Sequence, residues 1–142
     1  MVTITIIETI NDAQLIEIQD LLKELSSEIQ VTPEDIKNAV CCQNTFFFAL
    51  MDDKHIVGCA SLCVYNSPTG KKAHVEDVVI KSSYRGHYYG KKLIESVIEY
   101  ARNSLRDVDI YLTSNPSRVV ANHLYQELGF ERYETNCYKM MM

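Results

Sequence analysis

The chain has 142 residues, 46% of them hydrophobic and 23% charged, with a net charge of −5. That length predicts one domain, residues 1–142, whose core is large enough to need no disulfide or metal staple. The acidic balance argues against an electrostatic nucleic-acid binder, and no apolar run reaches the roughly 18 residues of a membrane span.

The N-terminal stretch MVTITIIETIND carries Glu8 and Asp12 and lacks a basic region, so no secretory leader is expected. Residues 2–8 are β-rich and read as the first strand. Asn11 followed by Gln14 is a capping-box pattern that opens a helix. Leu15, Ile18, Leu22, Leu25 and Ile29 then recur at helical spacing. Thr32-Pro33-Glu34-Asp35 is a second helix start, with Thr as cap, Pro at the first helical position and acids in the first turn. That helix ends near Cys42. Strands follow at 45–52, 55–66 and 73–81, with Gly58 a candidate bulge and a turn at Asp52-Asp53-Lys54. A helix runs from about Gly90 to Asn103, a strand over 107–114, and a last helix from Asn115-Pro116, with Gly129 placed to cap it. Residues 130–140 read as a closing strand, free to pair across a homodimer.

The order β-α-α-β-β-β-α-β-α-β predicts an α+β fold with a mixed sheet. The five cysteines (Cys41, Cys42, Cys59, Cys63, Cys137) show no CxxC spacing. They read as reduced, mostly buried thiols of a cytoplasmic protein, and no metal site is expected.

Between the strand at 73–81 and the following helix lies YRGHYYGKK. A helix N-terminus offers unpaired N–H donors and about half a positive charge, and glycines let a ligand approach the backbone. Arg85, Lys91 and Lys92 add cations. The turn is neither a P-loop nor a dinucleotide fingerprint, because GxxxxGK[ST] and GxGxxG are both missing.

IKSSYRGHYYGKKL resembles motif A of the GNAT superfamily of acetyl-CoA-dependent N-acetyltransferases, Arg/Gln-x-x-Gly-x-Gly/Ala after a hydrophobic strand. Arg85 matches its first position and Gly90 its last. NPSRVVANHLYQELGF (115–130) is similar to that family's motif B, and IVGCASL (56–62) to the strand before motif A. HVEDVVI (74–80) resembles the subset holding small bacterial acetyltransferases and glucosamine-6-phosphate N-acetyltransferases. The likeness covers nearly the whole chain and implies the GNAT fold, a central, mostly antiparallel mixed sheet flanked by helices.

It also implies acetyl-CoA as co-substrate, a small-molecule or peptide amine as acceptor, and no metal. Backbone groups of Val78, Val79 and Ile80 would pair with the pantetheine arm. The N–H groups of Arg85, Gly86, His87, Tyr88, Tyr89, Gly90 and Lys91 would hold the pyrophosphate, and Asn115 would lie near the arm. The strand at 107–114 should diverge from 73–81 at its end. The family's middle glycine is Tyr88 here. A tyrosine does not readily take φ > 0, and its side chain must point away from the ligand.

An alkyl amine with pKa near 10 is less than about 0.1% neutral at pH 7, so a base is needed. Glu76 and Asp77 stand beside the expected slot. Strand alternation favours Glu76, which shares a face with Val78 and Ile80, and a bulge would swap that choice. Either carboxylate is equally readable as a structural partner. His74 alternates with Glu76 on the substrate side. Tyr125 reads from periodicity as a core-edge tyrosine, and from the resemblance as the acid that protonates the departing thiolate. A coenzyme-A-binding sensor or interaction domain with little catalysis is the alternative. No second cationic cluster suited to an aminosugar phosphate is evident.

Overall fold

A computed structural model describes residues 1–142. Asn11 Oδ1 accepts from Gln14 N at 2.8 Å while Gln14 Oε1 accepts from Asn11 N at 3.2 Å, and this reciprocal cap opens α1 (Asp12–Leu25). Thr32 and Asp35 exchange the same pair of bonds, at 2.9 and 3.1 Å, ahead of Pro33 and open α2 (Pro33–Cys41). Both starts agree with the sequence, but α1 ends at Leu25, so Ile29 lies past the helix and packs on the core from the connection.

Five strands follow in chain order across one sheet: β1 (Val2–Ile7), β2 (Thr45–Asp52), β3 (His55–Ser67), β4 (Gly70–Ile80) and β5 (Ile110–Tyr111). The first four are antiparallel and β5 joins β4 in parallel. A parallel neighbour requires a crossover, and α3 (Tyr89–Tyr100) lies in that connection. On one sheet face Phe47, Ala49, Met51, Ile56, Cys59 and Val79 bury against Ile18, Leu21 and Leu22 of α1 and Ile36 and Val40 of α2. On the other, α3 buries Leu93, Ile94 and Val97, and Tyr100 meets Phe46 and Phe48 at ring-centroid distances of 4.8 and 5.8 Å. The FFF run is therefore core, split between both faces by strand alternation.

The chain divides into two compact units, Met1–Leu112 and Thr113–Met142. The second contains α4 (Val119–Glu127). Its C-terminus is a Schellman motif: Gly129 at φ 103° gives its N–H to Gln126 O at 3.1 Å, and Phe130 gives its N–H to Tyr125 O at 2.9 Å. The accompanying apolar contact is the edge-on pair Tyr125–Phe130, at 6.0 Å.

Several expectations are corrected. The strand expected over 107–114 is only Ile110–Tyr111, and residues 130–140 form no strand. Residues 131–142 are exposed, and Glu131, Arg132, Glu134, Asn136 and Lys139 leave the segment no continuous apolar face to bury. The segment expected to pair across a homodimer is therefore not a strand within this chain. The helix expected to reach Asn103 does so, but its α turns stop at Tyr100 and Ala101–Leu105 continue as a wider helical turn closed by Arg106 N to Ala101 O at 3.1 Å. Asn115-Pro116 does not open the last helix, because Asn115 Oδ1 is engaged by Ser117 N at 2.9 Å and the helix starts at Val119. Of the five free cysteines only Cys59 is buried, while Cys41, Cys42 and Cys137 are exposed.

The bulge expected at Gly58 falls at Val57, since Leu50 pairs with Gly58 and Met51 with Ile56. Gly58 answers to a different demand. A Cβ there would stand 2.8 Å from Ile80 Cδ1 and 3.2 Å from both Leu50 Cβ and Cδ2. Gly58→Ala is expected to lower stability by about 1–3 kcal/mol, read as a lower Tm and urea midpoint, because this site is already packed.

Candidate active site

The parallel ladder pairs Ala73 with Ile110 and His74 with Tyr111, then stops. Beyond His74, β4 has a strand partner only on the β3 side, so the edge of Val75–Ile80 is open, as the expected divergence requires. Val78, Val79 and Ile80 lie on this edge. Unpaired strand backbone is a template for another extended chain.

At the same place β4 gains a residue. Ser61 pairs with Glu76 and Cys59 with Val79, so Asp77 and Val78 stand opposite Ala60 alone. Asp77 takes φ 52°, a left-handed conformation suited to a bulge and tolerated by aspartate. The bulge overturns the alternation argument. Glu76 shares its face with Ser61, Cys59 and Val79, the face covered by α1 and α2, and not with Val78 and Ile80.

The two carboxylates are close in space as well as sequence. Glu76 and Asp77 are exposed as whole residues, but partial burial of its carboxyl raises Glu76 above its ordinary range, the Asp77 charge raises it further, and His74 opposes both. Burial raises Asp77 too. Asp77 also lies near Cys59 and Cys63, and burial pushes the Cys59 thiol up to about 12, with Asp77 adding to it. Cys59 is thus an inert core thiol. A carboxylate with a raised pKa is a better proton acceptor for an ammonium than an ordinary one. His74 sits on the same face, stacked on Tyr111 at 5.4 Å and tilted against Tyr65 at 5.7 Å.

After Ile80 the chain makes a single 3-10 turn, Ser82–Tyr84, before the turn that opens α3. Three contacts hold it. Glu24 of α1 accepts from Ser82 N at 3.1 Å, Tyr84 Oη donates to Asp52 Oδ2 at 2.5 Å, and Arg85 Nε donates to Ile80 O at 2.9 Å. Glu24 is thus a strut for this turn. No periodicity announces these struts, because each pairs side chains or backbone far apart in sequence. Arg85, Gly86, His87 and Tyr88 form the exposed turn, and Tyr89, Gly90 and Lys91 the first turn of α3. His87 and Lys92 both lie against the Tyr89 ring.

Tyr88 is the N-cap of α3 at φ 62°, ψ 17°, so it adopts the left-handed conformation that a tyrosine does not readily take. Its side chain is 78% exposed, out in solvent. No side chain caps α3, and the first N–H groups of a helix have no intrahelical partner. Gly86, at φ 84°, has nothing within 4 Å of where a Cβ would stand. Uncapped donors, a glycine approach and flanking cations fit a pyrophosphate.

In the second unit, Asn115 forms a side-chain turn, and its carbonyl accepts from Asn122 Nδ2 at 2.9 Å. Beside it the Ser114 hydroxyl is buried with no hydrogen-bond partner. Tyr125 is buried, and burial raises its phenol above the usual value while Arg118 opposes. His123 is exposed. Two open surface depressions, of about 540 and 650 Å³, are lined by none of the residues of the turn, β4 or the carboxylate pair. No group of three His, Cys, Asp or Glu side chains is arranged to hold a metal ion, and no helix is long and apolar enough to cross a membrane.

A mixed sheet with one open strand edge running into an uncapped helix N-terminus agrees with what the resemblance to acetyl-CoA-dependent acetyltransferases implies. Residues 15–130 match the Acetyltransferase (GNAT) family, and the chain belongs to it. It is 38% identical over 82 residues to a glucosamine 6-phosphate N-acetyltransferase of Trypanosoma brucei brucei, a match spanning 56% of this chain and 53% of that protein. The chain thus aligns with about half the length of that relative. Among solved structures, an acetyltransferase of Trypanosoma brucei superposes with a TM-score of 0.76 at 23% identity, over 99% of this chain and 100% of the other. A transcriptional regulator from Bacillus halodurans C-125 superposes with a TM-score of 0.81, also at 23% identity, over 100% of both. These two establish the fold.

Two outcomes follow. Tyr88→Gly is expected to raise stability by about 1 kcal/mol, because it relieves a left-handed non-glycine residue whose ring touches solvent. Thermal melts check it, and an unchanged or lower Tm would show that Tyr88 is not strained. For Glu76, the native carboxyl binds its proton more tightly than the unfolded one. Its contribution is fully present below the ordinary carboxylate range and is lost as pH rises through the raised native value. Glu76→Gln should therefore raise Tm relative to the native chain at neutral pH and much less at acid pH.

Proposed function

We propose that this chain is an N-acetyltransferase that moves the acetyl group of acetyl-CoA to a primary amine by direct attack within a ternary complex. The observation that carries the reading is the open edge of β4 leading directly into the uncapped, glycine-bearing start of α3, with two raised carboxylates at the bulge beside it. The family match runs across the boundary between the two units, which supports treating residues 1–142 as one N-acetyltransferase domain. Five free cysteines suit a reducing compartment, and we assign the enzyme to the cytoplasm.

In this reading the backbone of Val78, Val79 and Ile80 pairs with the pantetheine arm of the co-substrate. The N–H groups from Arg85 to Lys91 hold its pyrophosphate, and Asn115 contacts the arm. The bulge removes the alternation argument for Glu76, and we keep it as the base on its raised carboxyl and its place on the His74 face, where, directly or through water, it takes the proton of the bound ammonium. Asp77 supports it by keeping the local pKa high. The amine nitrogen then bonds to the thioester carbonyl carbon and the carbon–sulfur bond breaks. Tyr125 gives its phenolic proton to the departing thiolate, the acetylated nitrogen sheds its second proton to solvent, and the phenol recovers one from solvent. The products are an amide and free coenzyme A.

The competing reading is a coenzyme-A-binding sensor, favoured by Tyr88 standing where the motif has glycine. Release of thiol from acetyl-CoA in the presence of an amine panel separates the two. Binding without any thiol release would establish the sensor.

Tyr125→Phe keeps the ring that packs on Phe130 and removes only the hydroxyl. It is expected to lower kcat by about 10²-fold, the scale of one general acid, with little change in Tm. Native-like kcat across the panel would remove Tyr125 from the mechanism. The acid limb of kcat/KM should fall above the ordinary carboxylate range, and Glu76→Gln should abolish that limb. A limb that survives the substitution would transfer the role to Asp77.

A further inference from the structure

The sheet face covered by α1 and α2 is not covered along its whole length. Its apolar cluster ends at Phe47, Cys59 and Val79. Toward the other end of β3 and β4 the same face presents a row of rings, Tyr65 on β3, His74 on β4 and Tyr111 on β5. Tyr65 and Tyr111 flank the imidazole on either side, and Tyr65 Oη lies 3.4 Å from His74 Nε2. Tyr65 is 46% exposed, and His74 and Tyr111 are half-buried, so the row is accessible.

Glu76 is two residues further along β4 on the same face. Two residues of strand span about 7 Å, so the row and the carboxylate are separated by roughly that distance. The Glu76 end of the row is acidic. Glu76 and Asp77 are both acidic. Lys72, the cation on this face of β4, is turned to the hairpin, where its Nζ lies 2.5 Å from Ser67 Oγ and 2.6 Å from Thr69 Oγ1.

We propose that Tyr65, His74 and Tyr111 form a ring shelf that selects an aromatic acceptor whose primary amine stands two or three bonds from a flat ring. The ring stacks on the shelf and the ammonium reaches Glu76. Aromatic faces recognise other rings by offset or edge-on contact, and the carboxylates supply the opposite charge for the amine. A phosphate-bearing aminosugar, the substrate named for the curated relative, would meet two carboxylates beside its amine, with Lys72 drawn into the hairpin. This inference names the acceptor of the transferase reading and rests on it.

The test is thiol release from acetyl-CoA with 2-phenylethylamine, butylamine and glucosamine 6-phosphate. We expect kcat/KM for 2-phenylethylamine to exceed that for each of the others by about tenfold or more, the scale of a ring contact plus its buried area. Tyr65→Ala should bring the ratio of 2-phenylethylamine to butylamine toward one, chiefly through KM, and Tyr65→Phe should keep it. Tyr111→Ala should act like Tyr65→Ala, but it sits in the short β5, so Tyr65 carries the test if that variant does not fold. Equal use of 2-phenylethylamine and butylamine, a preference for glucosamine 6-phosphate, or an undiminished ratio in Tyr65→Ala would each overturn the shelf. If no amine is acetylated, the transferase reading fails separately. The shelf is then judged by titrating the protein with 2-phenylethylamine while following the His74 imidazole signals by NMR. A saturable shift that butylamine does not produce supports it, and no shift overturns it.

Discussion

A strand in the middle of a sheet satisfies its backbone on both sides, and β4 does so only as far as His74. From Val75 onward it keeps β3 on one side and loses β5 on the other. A strand edge without a ladder partner is a liability unless something else pairs with it or covers it. The extra residue at Asp77 falls within this stretch. It twists the strand where the partner is lost and leaves two acidic side chains at one point, which a regular strand would have sent to opposite faces. The open edge, the raised carboxylates and the approach to the following turn all depend on this local break in pairing.

The turn beyond Ile80 inherits its position from that strand and its rigidity from elsewhere. Glu24 on α1 and Asp52 at the end of β2 hold the Ser82–Tyr84 segment, and Arg85 folds back on the Ile80 carbonyl. In the proposed reading this turn binds phosphate through backbone donors, which have few side chains to adjust, so its geometry must be set before the ligand arrives. Tyr88 fits this view. It accepts a left-handed backbone at the N-cap of α3, and the strain persists because the anchored turn before it and the helix after it leave the chain no other route.

How much of this was legible in the sequence follows from how local each cause is. The two capping boxes, Pro33, the β2 boundaries and the Gly129 cap were readable because each is decided within a few residues. The bulge at Asp77 was not, since no residue there forces it and a regular strand was the simpler expectation. That single unread feature reversed the face assigned to Glu76. The end segment failed for a related reason. Residues 130–140 have β-forming side chains, but a strand exists only with a neighbour, and no strand pairs with them in this chain. The struts Glu24 and Asp52, and the ring row of Tyr65, His74 and Tyr111, depend on register between distant strands and helices, which a linear reading does not supply.

Tyr125 shows how a structural role and a chemical one share a residue. As the third residue from the end of α4, its carbonyl accepts the Phe130 N–H and its ring packs on Phe130, so the Schellman motif alone accounts for an aromatic residue at this position. It does not account for the hydroxyl. Phenylalanine would make the same ring contact with Phe130, so that contact does not call for a hydroxyl. Burial raises the phenol's pKa, keeping it protonated at neutral pH, the state a proton donor needs. The fold is shared with a transcriptional regulator as readily as with an acetyltransferase, so fold alone does not decide between catalysis and binding. The decision falls to groups whose presence packing leaves unexplained, and the Tyr125 hydroxyl and the crowded Glu76–Asp77 pair are two such groups.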